Sequence, residues 1–362
     1  MNILLIVLQL YDGGAERVAS IWASYLSNKD EYNVHLLSYW PANREYKIDD
    51  KVIRKSLYDT DEAKFKYRHF EIIRLLRSYI KDNNIDVIIP FTDYPGLHSS
   101  LARLFIAKSR VVYTIRINPW VYPQNIYKRI IRDFLVWKNK CLIVQTPDQM
   151  DYFKSVKNLN TCVVPNPINP KCSDLQKKYS GKLDRIVCVG RLELRQKNYG
   201  MVVEAIRILK ERNVCISVDI YGDGPCRDKL QQIIDEEGLS SQITLKGNVE
   251  NILEVEAQYD LFLMTSNYEG FPNALLEAMA IGMPVISTNC RTGPNLMIEN
   301  GINGVLVDVG NSEELAETIL KLKTNVAMME RMGICAKESV YDKYTLEQGM
   351  RVIEDYFQCI SM

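Results

Sequence analysis

The chain has 362 residues, more than one ordinary core accommodates, so two domains are expected. Its 45 Lys+Arg balance 45 Asp+Glu, which argues against a dedicated nucleic-acid binder. A content of 47% hydrophobic and 25% charged residues excludes disordered, collagen-like and coiled-coil chains.

The first residues, MNILLIVLQLYDGGAERV, lack a basic leader and run into Asp12 and Glu16 without a small-residue cleavage site. They predict a buried strand rather than a signal peptide. No apolar stretch reaches the ~18–20 residues of a membrane span. Nine cysteines without a C-x-x-C pair, Cys188 and Cys215 lying in apolar runs, suggest packed, reduced thiols in the cytosol and neither disulfides nor zinc.

Short β-rich runs then alternate with segments of helical period. Strands are predicted at 2–8, 33–39, 86–91, 110–115 and 141–146, and again at 185–190, 214–222, 242–247, 261–265, 284–287 and 304–308. Continuous apolar strands of this kind belong to parallel sheets covered on both faces by helices, which implies two doubly wound α/β units. The seam is 163–184, where Pro165, Pro167 and Pro170 precede a polar stretch. The boundaries expected are 1–165 for the first domain and 166–343 for the second, with a C-terminal amphipathic helix in 344–362.

Ligands of open α/β sheets sit outside the carboxyl ends of the strands, and four strand-to-loop junctions stand out there. Gly13-Gly14-Ala15-Glu16-Arg17 follows the first strand and opens a helix; the glycines permit close backbone approach, and the helix start offers N–H groups to an anion. The plain alternative is a tight turn. Gly190 to Asn198 places Arg191 and Lys197 after the first strand of the second domain, a fork and a point charge suited to a diphosphate, or else a solvated basic loop. Asn267 to Ala280 places Glu269 in a loop and Glu277 one turn below Asn273 on the following helix, with Pro272 in its first turn. Both carboxylates could accept hydrogen bonds from sugar hydroxyls; alternatively, Glu269 complements a helix dipole and Glu277 is solvated. Arg116-Ile117-Asn118 follows strand 110–115, with Arg116 expected to face an interdomain cleft or, more simply, the surface.

Glu269 and Glu277 form an E-x7-E pair that resembles the motif of retaining glycosyltransferase family 4, of GT-B fold. The likeness runs through nearly the whole chain: GGAER at 13–17, Pro165-Asn166-Pro167, Gly190-Arg191 with Lys197-Asn198, Gly222-Asp223-Gly224-Pro225, Lys246-Gly247-Asn248-Val249 and Gly301 to Gly304. It implies two Rossmann-like domains facing across a cleft, with the C-terminal helix returning to the first. It further implies that Arg191 and Lys197 hold the donor diphosphate, that Glu269 touches the donor sugar, and that the amides around Gly270, Phe271, Asn273 and Ala274 bind phosphate and sugar. Glu277 would bind the ribose, Gly222, Gly247, Asn248 and Val249 would border the nucleoside, and Gly13 and Gly14 would approach the diphosphate.

Many members of the family carry a histidine near the donor sugar. Here only His35, His69 and His98 occur, and Arg116 stands after strand 110–115. His98 is expected on a helix in a packing or capping role. The absence of an evident general base fits front-face retention, in which the leaving phosphate oxygen takes the acceptor proton. Arg116 and Asn118 resemble the R-x-N pattern of members that transfer N-acetylhexosamine in bacterial surface-polysaccharide (O-antigen, capsule) assembly. The expected reaction moves N-acetylhexosamine or hexose from a UDP-sugar to a polyprenyl-diphosphate-linked saccharide. Cofactor and metal are expected to be absent: the one D-x-D, Asp59 to Asp61, lies in a charged stretch away from a donor-site strand. The alternatives are a UDP-sugar 2-epimerase and a non-catalytic sugar-binding protein.

Residues 105–140 hold eight Lys/Arg and one acid, Asp133, and 126–137 sets Ile126, Ile130, Ile131, Phe134 and Leu135 at helical spacing. Such a helix either lies on an anionic membrane at the cytoplasmic face or packs on the sheet of its own domain. Segment 64–81 is a second helix of this type.

Overall fold

In the computed structural model, which describes every residue except 12, 61–67, 105, 107 and 362, the apolar runs become the centres of parallel sheets. The chain divides into one unit of Met1–Asn166 with Glu347–Met362 and a second of Pro167–Leu346.

The first unit runs β1 (Asn2–Val7), α1 (Gly14–Leu26), β2 (Asn33–Ser38), β3 (Ile53–Ser56), α2 (His69–Asp82), β4 (Val87–Pro90), α3 (Asp93–Ala102), β5 (Arg110–Val111), β6 (Tyr113–Ile115), α4 (Ile126–Asn139), β7 (Cys141–Val144), α5 (Pro147–Tyr152) and β8 (Asn160–Val163). The second runs β9 (Arg185–Val189), α6 (Leu194–Lys197), α7 (Tyr199–Glu211), β10 (Ser217–Tyr221), α8 (Arg227–Glu236), β11 (Ile243–Gly247), α9 (Ile252–Glu256), β12 (Leu261–Met264), α10 (Asn273–Ala280), β13 (Val285–Thr288), α11 (Pro294–Met297), β14 (Val305–Val307), α12 (Ser312–Thr324) and α13 (Val326–Lys343). Helix α14 (Leu346–Ser361) follows.

Strands order as β3-β2-β1-β4-β5 and β6-β7-β8 in the first unit, and as β11-β10-β9-β12-β13-β14 in the second. The strands predicted from apolar runs include every central strand and also the edges β5, β6, β11 and β14. The two that were not anticipated, β3 and β8, are sheet edges with sequences IRKS and NTCV. An edge strand is covered on fewer sides and needs no apolar run. The single strand expected at 110–115 is interrupted at Val112, so that β5 pairs with β4 and β6 with β7. The strand expected from 214 starts at Ser217, and Cys215 before it is exposed rather than packed, whereas Cys188 is buried.

Alternation along β9 builds both faces of the second sheet. Ile186 and Cys188 enter one core cluster with α7 and α12 residues, and Val187 enters the other with α10 residues. In the first unit Tyr356 of α14 anchors that helix: its Oη accepts from the Leu142 amide at 3.0 Å and donates to the Asn160 carbonyl at 2.8 Å.

Candidate active site

The second sheet reverses its winding between β9 and β12, which pair directly while the chain continues outward from each on opposite sides. The carboxyl ends flanking such a switch point form a natural crevice. The loops leaving β9 and β12 are tied together there. Thr265 Oγ1 donates to the Lys197 carbonyl at 3.0 Å, the Asn267 amide donates to the Gln196 carbonyl at 2.7 Å, and Asn267 Nδ2 donates to the Arg195 carbonyl at 2.9 Å.

The one-turn helix α6 is fixed at both ends. Glu193 caps its start by accepting from the Arg195 and Gln196 amides at 3.2 and 2.6 Å, and Asn198, at φ 49°, ends it. This brings Lys197 Nζ to 2.6 Å from Glu269 Oε1, which also accepts from Ser266 Oγ at 2.7 Å. Glu269 is only 6% exposed, so its charge needs these donors. Thr292 Oγ1 donates to its backbone carbonyl. Arg191 behaves differently: its side chain is exposed and has no hydrogen-bond or ion-pair partner among the described residues.

Helix α10 begins at Asn273 after Pro272, which occupies the N-cap position rather than the first turn, and no side chain caps it. The first amide to bond back is that of Leu276, to the Pro272 carbonyl at 3.1 Å. The Phe271 ring is buried against Tyr344, centroids 5.2 Å apart, so only its backbone can face a ligand. Gly293, at φ 86°, lets a neighbouring turn press on this tip; a Cβ there would lie 2.6 Å from Pro272 Cδ. Asn273 and Ala274 are half-buried. Glu277 is not a solvated residue: it is 5% exposed, and its Oε1 accepts from Asn169 Nδ2 at 3.1 Å. The sequence reading missed Asn169, whose signal is its place before Pro170 in the seam, where its side chain also caps a 3-10 turn.

Gly222 shows why the loop after β10 needs a glycine. Its amide donates to the Gly247 carbonyl at 2.9 Å, its φ is 128°, and a Cβ would lie 2.0 Å from the Gly190 carbonyl oxygen. The β10 and β11 loops thus close onto Gly190 and Arg191, with Asn248 and exposed Val249 following.

In the first unit, Gly13 is the N-cap of α1 and Gly14 its first residue. The Glu16 carboxylate folds back onto Gly13, where a Cβ would fall 1.7 Å from Glu16 Oε2, and burial raises the Glu16 carboxyl above the usual range. Arg116 is not a surface arginine. Its guanidinium lies 4.8 Å from the Trp22 ring centroid and 5.2 Å from that of Phe91. All three nitrogens are buried without a hydrogen-bond partner among the described residues, and burial pulls its pKa down to about 9.

The histidines are engaged elsewhere. His35 Nδ1 lies 2.8 Å from Tyr79 Oη, His98 Nδ1 2.9 Å from Tyr39 Oη, and His98 Nε2 2.8 Å from His69 Nδ1. Buried His98 has a packing role, and desolvation lowers its pKa to about 4. Of the D-x-D, Asp61 lies outside the described residues; among those described, no group of three or more His, Cys, Asp or Glu is assembled for a metal.

Residues 12–171 match the Glycosyltransferase Family 4 model, and residues 174–339 match that of Glycosyl transferases group 1. The chain is a glycosyltransferase built of these two domains. Its fold is GT-B: the structure of Anabaena HepE in complex with UDP and glucose superposes with a TM-score of 0.78 over 99% of each chain, at 18% identity.

Among curated relatives of this glycosyltransferase are the amylovoran biosynthesis glycosyltransferase AmsD of Erwinia amylovora, 26% identical over 83% of this chain and 84% of that one. Another is the Campylobacter jejuni N-acetylgalactosamine-N,N'-diacetylbacillosaminyl-diphospho-undecaprenol 4-alpha-N-acetylgalactosaminyltransferase, 26% identical over 85% and 86%. The poly(ribitol-phosphate) alpha-N-acetylglucosaminyltransferase of Staphylococcus aureus is 28% identical over 47% of this chain, and the match spans only 33% of that longer protein. All three relatives are bacterial glycosyltransferases.

Proposed function

We propose that the enzyme transfers N-acetylhexosamine or hexose from a UDP-sugar to a polyprenyl-diphosphate-linked saccharide, with retention of configuration, at the cytoplasmic face of a membrane. The observation that carries the donor reading is the Lys197–Glu269 pair at the β9/β12 switch point, between exposed Arg191 and the uncapped start of α10. The C. jejuni relative, an N-acetylgalactosaminyltransferase named for a diphospho-undecaprenol-linked acceptor, supports the acceptor class.

Breaking the sugar–phosphate bond leaves negative charge on the diphosphate and positive character on the sugar. Arg191 and Lys197 stabilise the first, together with the amides at the α10 tip. As the diphosphate enters, Lys197 shares its protons with phosphate oxygens, and Glu269 becomes free to accept from a sugar hydroxyl. Glu277, held by Asn169, is placed for the ribose hydroxyls, and Gly222, Gly247, Asn248 and Val249 for the nucleoside. In the first unit, Arg116 acts in transfer rather than nucleotide binding. With two side-chain cations supplying the charge, the reaction is proposed to need no metal.

The test is a donor panel of UDP-N-acetylglucosamine, UDP-N-acetylgalactosamine and UDP-glucose with a polyprenyl-diphosphate saccharide, with and without excess chelator. Acceptor-dependent UDP release, an α-linked product and an unchanged rate in chelator are expected. Interconversion of UDP-sugars without acceptor would identify an epimerase. Loss of rate in chelator, restored by magnesium or manganese, would overturn metal independence.

A further inference from the structure

The sequence leaves two readings for the basic helix after β6, and the structure separates them. Helix α4 does not bury its apolar row. Its buried residues are Arg132, Leu135 and Val136. Arg132 donates to the carbonyls of Pro119, at 3.1 Å, and Tyr122, and to Asp133 Oδ1 at 2.7 Å. Asp133 Oδ2 accepts from Tyr152 Oη at 2.8 Å. The one acid of residues 105–140 is therefore occupied by partners within its own unit.

The apolar residues Ile126, Tyr127, Ile130, Ile131, Phe134 and Trp137 are 47–74% exposed. Ile126, Ile130, Phe134 and Trp137 succeed one another along a single row of the helix. Phe134 and Trp137 pack together with centroids 5.6 Å apart, yet both face water. Lys128 and Lys138 are exposed on the same helix, and Lys140 Nζ lies 5.3 Å from the Trp137 ring centroid at its end. At the other end Lys128 Nζ donates to Tyr94 Oη at 3.1 Å, and the Tyr94 ring stacks on His69 at the start of α2. The next residue, Phe70, is 90% exposed. Such a contiguous apolar patch rarely stays bare.

We infer that the outward face of α4 is the surface by which this protein lies on an anionic bilayer, the Ile126–Trp137 row entering the headgroup boundary and Lys138 and Lys140 meeting lipid phosphates. Charge complementarity selects this occupant. The exposed charges of the helix are all positive, and aromatics sit among them, as an anionic interface favours. A second copy of the chain would set lysines against lysines. The helix lies on the surface rather than spanning it: among the described residues no helix is long and apolar enough to cross a membrane. The inference deepens the proposed lipid-linked acceptor and needs nothing of the donor site.

The test is flotation of the full chain with vesicles of pure phosphatidylcholine and of phosphatidylcholine mixed with phosphatidylglycerol, at low and high salt. Binding only to the anionic vesicles, weakened by salt, is expected. Brominated lipid quenches the fluorescence, and the Trp137→Phe variant loses that quenching. The Ile130→Glu/Phe134→Glu variant binds about a hundredfold less, and Lys138→Glu/Lys140→Glu about tenfold less. Both keep wild-type UDP affinity by calorimetry, which reports folding and separates this inference from the donor reading. Full recovery of the wild type in the unbound fraction at low salt, or equal binding by the Ile130→Glu/Phe134→Glu variant, overturns it. So does a dimer in sedimentation that this variant abolishes, which would assign the face to self-association.

Discussion

The two units carry their charge in opposite ways. In the second, Lys197 finds Glu269 at 2.6 Å, and the carboxylate has a further donor in Ser266. In the first, the Arg116 guanidinium is buried against the faces of Trp22 and Phe91, with no hydrogen-bond partner among the described residues. Aromatic faces return about 1–2 kcal/mol to a desolvated cation, less than the several kcal/mol its burial removes. The Lys197–Glu269 pair is satisfied before any ligand arrives, and the Arg116 guanidinium is not. A protein that retains an uncompensated buried cation carries a stability deficit at that position, which an incoming anion would relieve.

The comparison breaks most visibly at the donor pair. Lys197→Ala is expected to lower turnover at least about a hundredfold, and to destabilise the fold by on the order of 3 kcal/mol by leaving Glu269 buried without its cation. Adding Glu269→Gln should restore part of the stability and none of the turnover. Arg191→Ala should lose similar turnover with an unchanged melting temperature, because its side chain is exposed and unpartnered. Kinetics and thermal melts on the same preparations check both, and wild-type turnover in either variant would remove that residue from the donor site.

Arg116→Met sharpens the other side. Removing the unpaired charge while keeping the packing should stabilise the protein by roughly 1–3 kcal/mol. Transfer should be lost while UDP affinity is retained. A lower melting temperature with normal transfer would make Arg116 a structural plug of the first unit.

His98 gives a smaller effect, confined to acid. Its folded-state pKa of about 4 lies below the ordinary 6.5, so the unfolded chain takes up a proton first. Stability is therefore complete above pH 6.5 and declines as pH falls toward 4, by on the order of 2 kcal/mol. Tyr39 and His69, which bond its two ring nitrogens, and Tyr94, which stacks on it, face the same space. Denaturant melts of His98→Gln should show a flatter slope across that window; a slope equal to wild type would assign the decline to other groups. Smallest is Glu277→Gln, expected to weaken UDP-sugar binding about tenfold with kcat nearly unchanged, since a neutral amide keeps part of the hydrogen bonding. A loss in kcat alone would move Glu277 from ribose to the reacting sugar.

The difference between the units also marks what was legible in the sequence. The buried centres of both sheets were readable because parallel strands covered on both faces need continuous apolar runs. Edge strands β3 and β8, with sequences IRKS and NTCV, carry no apolar run and left no trace, unlike the edges β11 and β14. The loops carrying Arg191, Lys197, Glu269 and Glu277 were readable because strand ends precede them. That Lys197 and Glu269 pair, and that Asn169 holds Glu277, depends on contacts between residues 72 and 108 positions apart, which local pattern does not encode. On α4 the amphipathic period was visible, but period alone does not say which face turns inward. The Arg132–Asp133–Tyr152 contacts decided that. Likewise, nothing around Arg116 announced that two distant aromatics, Trp22 and Phe91, would cover it.

The most direct measurement is a crystal structure of the enzyme with UDP. The account predicts the diphosphate within hydrogen-bonding distance of Arg191, Lys197 and the first amides of α10, with the ribose at Glu277 and the Lys197–Glu269 contact lengthened. UDP bound elsewhere, with that contact unchanged, would contradict it.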